Sequence, residues 1–184
     1  RRFLIARPPP LPMSHPPAWL ATAIDIVLRA GAIQTRSLGG DLQIDKKGAI
    51  DLVTQVDVEV ERMARETIAA RFPDHTVLAE ELENEPEREH LHHWWVFDPV
   101  DGTVNYAHGL PLFCASLALE VDGRPEVAAV YDPTRHELFT AERGVGAWLN
   151  GTPLRVTDAG TLLDAMLCTG FPYDVHETVD EVVG

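Results

Sequence analysis

An apolar run that ends in two carboxylates restricts the possible folds more than any other stretch of the sequence. Residues 94–103 read WWVFDPVDGT, so a strand-like segment leads directly into Asp98 and Asp101, around a proline and just before a glycine. A continuous apolar run of this length is typical of a strand that is buried on both faces. Two neighbouring carboxylates repel each other, and burying either charge without a partner is costly. The stretch therefore predicts that a cation is bound where this strand ends.

Two further junctions between a strand and a loop carry carboxylates. Asp51 and Asp57 begin and end the segment DLVTQVD, and Glu80 and Glu81 end the strand-like segment HTVLAEE. Ligands of layered α/β sheets gather at strand ends, so a fold could bring these junctions together. An all-oxygen set without thiolates or paired histidines suits a hard cation, Mg²⁺ or Mn²⁺. The alternative, that these carboxylates only cap turns, stays open on chemistry alone, because Asp-Pro and Asp-Gly are common turn sequences.

The residues around the two aspartates could also hold an anion. Asp98 could bridge two ions, Asp101 could bind one of them, and the Val100 carbonyl could be a further ligand. If a helix starts here, the N–H groups of Gly102 and Thr103 face an incoming anion, and the Thr103 hydroxyl could orient a water. Bound cations would then hold a phosphate, although the formal net charge is −14. The same charge argues against broad binding to nucleic acids or anionic membranes.

The hydrophobic pattern predicts a mixed α/β domain. Helices are expected over residues 17–37 and 54–72. Strands are expected at residues 42–44, in HTVLAEE, in WWVFDP, and in several runs of residues 113–156 that are separated by the turn sequences Asp122-Gly123, Asp132-Pro133 and Asn150-Gly151. Lys46 and Lys47 are placed in a loop. No apolar stretch is long enough to span a membrane.

The remaining segments give the domain organisation and the compartment. We expect residues 1–16 to be a disordered extension, with the natural start at Met13, residues 17–156 to be the metal- and phosphate-binding domain, and residues 157–184 to begin a second domain. Residues 80–93 are acidic and are expected to be a solvated loop or a short exposed helix. His90, His92 and His93, at the end of this stretch, lack the regular spacing of a helical pair of metal ligands. Cys114 and Cys168 lie in apolar, strand-like runs, and we expect two buried free thiols in a cytoplasmic protein.

The segment DPVDGTVNY closely resembles the D-P-[IVL]-D-G-T-x-N-[FY] signature of the inositol monophosphatase family. The resemblance continues, in order, in DLVTQVD at 51–57, AEE at 79–81, GVGAWLNG at 144–151 and TGFPYD at 169–174. It covers nearly the whole chain from about Trp19. It implies a layered α/β (α+β) sugar-phosphatase fold with sheets sandwiched between helices. It also implies an enzyme that depends on Mg²⁺, is usually dimeric and is commonly sensitive to lithium.

The resemblance also implies how the metal ions are bound. Glu80, Asp98 and the Val100 carbonyl would bind the first metal, and Asp98 and Asp101 would bind the second. Two or three Mg²⁺ ions per site are implied, with Mn²⁺ as a possible substitute. Asp51 and Glu81 would contact the metal ligands rather than a metal, and Asp51 could instead be structural.

The same resemblance implies the catalytic and substrate-binding groups. Asp57 would accept a hydrogen bond from Thr103, and this pair would activate the attacking water on the first metal, which Glu80 helps to bind. Gly102, Thr103 and Asp101 would contact the substrate phosphate. Lys46 matches a basic residue of the family, with an exposed surface lysine as the alternative because Lys47 is adjacent.

One family motif does not occur in this sequence. Family members carry a W-D-x-A-A-G segment whose aspartate completes the second metal site, and much of the C-terminal part of the fold follows with it. We therefore expect the chain to be part of a longer protein or a truncated one. The sequence supports hydrolysis of a phosphate ester better than it identifies the ester.

Several functions remain open at this point. The leading prediction is a Mg²⁺-dependent phosphomonoesterase acting on inositol monophosphate as a homodimer, without nucleic-acid or membrane partners. The alternative substrates are histidinol phosphate, fructose 1,6-bisphosphate and 3′-phosphoadenosine phosphate. A regulatory binding protein of the same fold is the alternative from another class, since some bacterial relatives are thought to assist the transcription machinery. A metal-stabilised fragment without turnover is the third.

Overall fold

The computed structural model describes residues 18–38, 44–46, 52–79 and 92–168. Three helices and nine strands follow each other along these parts of the chain: α1 (Ala18–Ser37), β1 (Ile44–Lys46), β2 (Leu52–Thr54), α2 (Gln55–Arg71), β3 (Thr76–Ala79), β4 (His93–Asp101), α3 (Thr103–Ala107), β5 (Cys114–Val121), β6 (Arg124–Asp132), β7 (Glu137–Glu142), β8 (Gly146–Leu149) and β9 (Thr152–Pro153). The mixed α/β class and both long helices are as predicted. The strand expected at residues 42–44 is displaced: β1 begins at Ile44 and includes Lys46, for which the sequence predicts a loop.

Seven strands form the main sheet, in the order β3-β4-β5-β6-β7-β8-β9. β3 and β4 run parallel, and every later pair is antiparallel. Short turns explain this order. Asp122-Gly123 and Asn150-Gly151 each place two successive residues at positive φ, the conformation of the two-residue turn that suits the twist of a hairpin. Both turns were predicted from these dipeptides.

One face of the sheet forms the core with α1 and α2. Apolar residues of α1 recur with helical spacing and pack on β5 and β6, while α2 packs on β4. Gly31 permits the close approach of α1, since a Cβ there would lie 2.5 Å from the ring of Tyr131 on β6. The fully or nearly fully buried side chains at this interface include Ile26, Val27, Val60, Ile68, Trp95, Phe97, Leu117 and Leu119.

The other face of the sheet is open in the part of the chain that the structure describes. On β4, Trp95 and Phe97 face the helices, whereas Val96 between them is 39% exposed. Val96 pairs in register with Leu78 and Ala118, which line a hollow of about 360 Å³ on this face. The prediction that the WWVFDP strand is buried on both faces is therefore wrong at Val96 among the described residues, although Trp94 on the same face is only 8% exposed.

The remaining expectations concern the ends of the chain. The proposed N-terminal extension and the residues 169–184 of the proposed second domain lie outside the described residues. Residues 154–168 carry no helix or strand, and several of their apolar side chains are exposed. Cys168 lies here and is exposed, which corrects the prediction of a buried thiol, whereas Cys114 at the start of β5 is partly buried. None of the described helices has the length and apolar character of a membrane span.

Candidate metal centre

The two predicted metal-binding aspartates lie at the end of β4, on either side of a β-bulge. Asp98 pairs with Ser116 on β5, and the next paired residue is Asp101, opposite Cys114. Between these two pairs β4 has two residues, Pro99 and Val100, whereas β5 has one, Ala115. Bulges occur next to active sites because they change the direction of side chains. The sequence Asp98-Pro99 supplies the irregularity, since proline cannot donate to the ladder.

Local hydrogen bonds hold both carboxylates. Oδ1 of Asp98 accepts the backbone N–H of Val100 at 3.1 Å. Oδ2 of Asp101 accepts the thiol of Cys114 at an S···O distance of 3.5 Å. Burial, followed by the nearby Asp101 carboxylate, raises the pKa of Cys114 to about 12, so the thiol keeps its proton and acts as the donor. Each of the two carboxylates thus accepts a hydrogen bond from within the turn or from β5.

A short helix starts directly after these aspartates, as the sequence predicts. Gly102 precedes α3 with φ of 93° and ψ of 36°, and its carbonyl accepts the N–H of Tyr106 at 2.9 Å. A Cβ at this position would lie 2.9 Å from the carbonyl oxygen of Leu112. Only glycine fits both the conformation and the space, and this is why the D-G-T sequence can turn into a helix here.

Thr103 lies close to the Asp98–Asp101 turn, but its hydroxyl has a different partner from the one expected. Oγ1 of Thr103 donates to the Val100 carbonyl at 2.8 Å. Since a hydroxyl has one proton, the expected hydrogen bond to Asp57 requires this hydroxyl to rotate away from Val100. The Val100 carbonyl, a predicted metal ligand, is the acceptor in this arrangement.

Asp57 is buried in the first turn of α2, near α3. It is 1% exposed, and β2, which leads into α2, contacts α3. Burial and then the Asp57 carboxylate raise the pKa of Tyr106 on α3 to about 12. The fold therefore brings Asp57 close to the helix that begins with Thr103, although 46 positions separate the two residues in the sequence.

Four of the predicted site residues cannot be placed in the same way. Asp51, Glu80 and Glu81 lie outside the described residues, and of Lys46 the structure describes only the backbone in β1. The strand β3 ends at Ala79, in parallel register with Phe97, the residue before Asp98. Among the described residues, which do not include Glu80, no three His, Cys, Asp or Glu side chains form a group that could hold a metal.

The donors that are described fit a hard cation. Asp98, the Val100 carbonyl and Asp101 offer only oxygen, the atom that Mg²⁺ and Mn²⁺ prefer. Asp101 and Gly102 border a hollow of about 340 Å³, together with Asn105, Cys114 and Arg135 among others. A small ligand could therefore reach Asp101 and the start of α3 from the open side of the sheet.

Sequence reasoning missed two residues that contact this turn, Gln34 and Cys114. Gln34 is 0% exposed, and its Nε2 donates to the Pro99 carbonyl at 2.8 Å and to the Cys114 carbonyl at 3.3 Å. A signal for Gln34 was present, because it continues the apolar stripe of α1 one turn after Ala30. A buried polar side chain usually finds hydrogen-bond partners. Here Nε2 has two acceptors, whereas Oε1 has no partner in the part of the chain that the structure describes.

A model of the inositol monophosphatase family matches residues 17–183 of the chain. The chain belongs to this family. The site at the end of β4 coincides with the signature segment DPVDGTVNY, on which the resemblance was based.

Two relatives from this family show how far the similarity extends. An inositol-1-monophosphatase of Synechocystis sp. is 43% identical over 164 residues, which are 88% of this chain and 56% of that protein. The Nus factor SuhB of Escherichia coli is 46% identical over 136 residues, covering 74% of this chain and 51% of that protein. The chain spans about half the length of the relatives it matches.

Solved structures of the family share the fold. The inositol monophosphatase of Anabaena (Nostoc) is 37% identical with a TM-score of 0.76, over 89% of this chain and 59% of that one. An IMPase/NADP phosphatase solved with Mg²⁺ and phosphate is 32% identical, with a TM-score of 0.62, over 74% of this chain and 49% of that one. A staphylococcal inositol monophosphatase, described as a LiCl-soaked inhibitory complex, is 29% identical with a TM-score of 0.68, over 79% of this chain and 52% of that one.

Proposed function

We propose that the protein is a Mg²⁺-dependent phosphomonoesterase that hydrolyses a small phosphorylated polyol, with inositol monophosphate as the leading substrate. The observation that carries this proposal is the end of β4. There Asp98, the Val100 carbonyl, Asp101 and the first turn of α3 follow one another without a break. Oxygen ligands for cations thus stand directly beside the helix start that would receive a phosphate.

The ligand set follows the sequence prediction. Glu80, Asp98 and the Val100 carbonyl would hold one ion, and Asp98 and Asp101 a second. Bound Mg²⁺ supplies positive charge that stabilises the attacking and leaving oxygens of a phosphoryl transfer. The predicted site has six carboxylates, of Asp51, Asp57, Glu80, Glu81, Asp98 and Asp101, and these would be stable together only with such charge present.

The chain's own groups bind and orient the reactants. The N–H groups of Gly102 and Thr103, at the start of α3, would donate to phosphate oxygens, since the first N–H groups of a helix have no acceptor within it. The Thr103 hydroxyl, turned from Val100 towards Asp57, would orient the attacking water, and Asp57 would accept the proton of this hydroxyl. Lys46 would approach the phosphate from β1. The buried position of Asp57 keeps bulk water away from this pair.

The relatives support the class of reaction more strongly than the substrate. One similar structure is described with Mg²⁺ and phosphate, and a similar protein is named as an inositol-1-monophosphatase. Histidinol phosphate, fructose 1,6-bisphosphate and 3′-phosphoadenosine phosphate remain alternative substrates. We further propose that the protein acts in the cytoplasm as a homodimer.

Phosphate release from the intact protein tests the proposal. The four phosphate esters are compared with and without Mg²⁺, for the natural sequence and for Asp98→Asn, which replaces a bridging anion with a neutral amide. We expect Mg²⁺-dependent release, fastest for inositol monophosphate, and its loss in Asp98→Asn. The matched control is Asp122→Asn, the same change in an exposed turn of the sheet. Unchanged turnover of Asp98→Asn at saturating Mg²⁺ would contradict the bridging role.

A regulatory binding protein is the second candidate, and the 46% identity to a protein named Nus factor SuhB favours it. Such a protein would act through contacts with the transcription machinery and would not need the chemistry of the site. Affinity capture of RNA polymerase by the intact protein and by Asp98→Asn separates the two functions. Equal capture by both proteins, with no phosphate release by either, would favour the regulatory function over the enzyme.

A further inference from the structure

We propose that Gln34 is a positioning residue for the metal centre, because its side-chain amide fixes the peptide unit between Asp98 and Asp101. The inference rests on the proposed function for its consequence, which is metal affinity, but not for its geometry. Gln34 lies in the last turns of α1, 64 positions before Asp98, and outside every motif of the family signature quoted above.

The Pro99–Val100 peptide is held at both of its ends. Its carbonyl accepts Nε2 of Gln34 at 2.8 Å, and its N–H donates to Oδ1 of Asp98 at 3.1 Å. A peptide unit is planar, so these two bonds together fix the orientation of the whole plane. The direction of the Asp98 carboxylate is therefore linked, through one rigid unit, to a side chain of α1.

The β-bulge explains why the turn needs such a partner. Pro99 and Val100 have no paired residue on β5 in the strand register, so the regular ladder is interrupted at these two residues. Pro99 and Val100 are buried, and a buried carbonyl without a donor is costly. The amide of Gln34 fills this gap, and it also donates to the Cys114 carbonyl on β5 at 3.3 Å.

The contacts of Gln34 reach both proposed metal-binding aspartates. Gln34 donates to the carbonyl of Pro99, the residue next to Asp98. It also donates to the carbonyl of Cys114, whose thiol donates to Asp101. The backbone of Gln34 is itself held, since the hydroxyl of Tyr106 donates to its carbonyl at 2.7 Å. Helix α1, the bulge and α3 thus meet at one residue that touches no ligand directly.

Groups that orient metal ligands typically change metal affinity or activity by about 10–100-fold when they are removed. Gln34→Met keeps nearly the same volume and removes the amide. The matched control is Thr22→Val on the same helix. It removes the buried hydroxyl that accepts Arg71 at 3.1 Å, and it lies about 18 Å along the helix axis from Gln34.

The experiment uses the intact protein and three measurements: hydrogen exchange of the Val100 amide without Mg²⁺, the dissociation constant of Mg²⁺ by calorimetry, and the melting temperature. For Gln34→Met we expect Val100 exchange to rise by about 10-fold, as for loss of one buried hydrogen bond. We also expect Mg²⁺ to bind at least about 10-fold more weakly. For Thr22→Val we expect a lower melting temperature, with Val100 exchange and Mg²⁺ affinity unchanged.

The inference is overturned if Gln34→Met lowers only the melting temperature, as Thr22→Val does. Gln34→Asn provides a milder variant, since it keeps a polar amide but is one methylene shorter, and it must move both measurements in the same direction. If the unchanged protein neither binds Mg²⁺ nor releases phosphate, the proposed function fails instead. The exchange measurement, made without metal, then still decides whether Gln34 fixes the turn.

Discussion

Gly102 shows how strictly single residues are determined at this site. Its φ of 93° lies in the left-handed region, and the space that a Cβ would need is taken by the backbone oxygen of Leu112 at 2.9 Å. The oxygen belongs to the main chain, so it cannot move aside as a flexible side chain could. Two separate physical reasons, conformation and space, therefore require glycine between Asp101 and Thr103.

The change Gly102→Ala separates these two reasons when it is compared with Gly144→Ala. Gly144 also has a positive φ, of 71°, but nothing lies within 4 Å of its Cβ position. A left-handed alanine costs about 1–2 kcal/mol at either site. We expect Gly102→Ala to lose clearly more unfolding free energy than Gly144→Ala, as measured by urea denaturation. Equal losses would show that the contact with Leu112 relaxes without cost.

At this scale the sequence predicted residues whose chemistry is local. The local arrangement of Asp98, Asp101, Gly102 and the helix start at Thr103 was predictable because it depends on neighbours a few positions away, and their roles in binding and catalysis remain predictions. Gln34 was not recognised, since its partners Pro99 and Cys114 are 65 and 80 positions away and only the packing of α1 brings them near. The Thr103 hydroxyl illustrates the same limit, because its choice between Val100 and Asp57 depends on folded geometry.

Helices and strands were predicted well where the apolar pattern is long and periodic. Residues 17–37 and 54–72 were expected as helices, and α1 and α2 span Ala18–Ser37 and Gln55–Arg71. The burial of β4 was predicted less well, because its continuous apolar run does not tell which side of the sheet is covered. Val96, in the middle of this run, is 39% exposed in the structure. Whether a strand is covered depends on other elements, and the strand's own residues do not show it.

The start of β4 carries a cluster of aromatic rings at the end of the strand opposite the site. His75, which precedes β3, stacks on His93 with ring centres 4.3 Å apart, and its Nδ1 accepts the indole N–H of Trp95 at 3.0 Å. This hydrogen bond requires Nδ1 of His75 to be unprotonated. Burial, followed by the charge of His93, lowers the pKa of His75 to about 4, and Asp74 opposes this effect.

Because the folded pKa of His75 lies below its ordinary value of 6.5, the unfolded chain takes up more protons between about pH 6.5 and pH 4. The stability that depends on neutral His75 is therefore present above this range and is lost as the pH falls through it. We expect the fall in melting temperature from pH 7 to about pH 4 to be smaller in His75→Gln than in the unchanged protein. The control His108→Gln, at an exposed histidine, should leave the fall unchanged. An equal fall in His75→Gln would contradict this role.

At the scale of the whole molecule, the negative charge determines how an anionic substrate can approach the site. The formal net charge is −14, and the proposed site adds carboxylates at one place, so the approach of an anionic substrate is unfavourable without cations. Bound Mg²⁺ would reverse the sign of the local field, so the proposed function would need it for attraction of the substrate as well as for chemistry. The described residues supply Asp98, the Val100 carbonyl and Asp101 to this site, and the chain spans about half the length of its relatives.

Lithium should inhibit the intact enzyme, and the reason lies in the second metal position. Asp98 and Asp101 are its proposed ligands from this chain, and an ion held by few protein ligands can leave with the product. Li⁺ is small and prefers oxygen, but it carries one charge where Mg²⁺ carries two. It would therefore occupy this position without stabilising the leaving oxygen equally.

We expect LiCl to slow phosphate release at a fixed Mg²⁺ concentration, while KCl at the same ionic strength has little effect. Asp101→Asn should show less sensitivity of its residual activity to Li⁺, because one ligand of the second position has lost its charge. Equal effects of LiCl and KCl on an active enzyme would contradict an exchangeable second site.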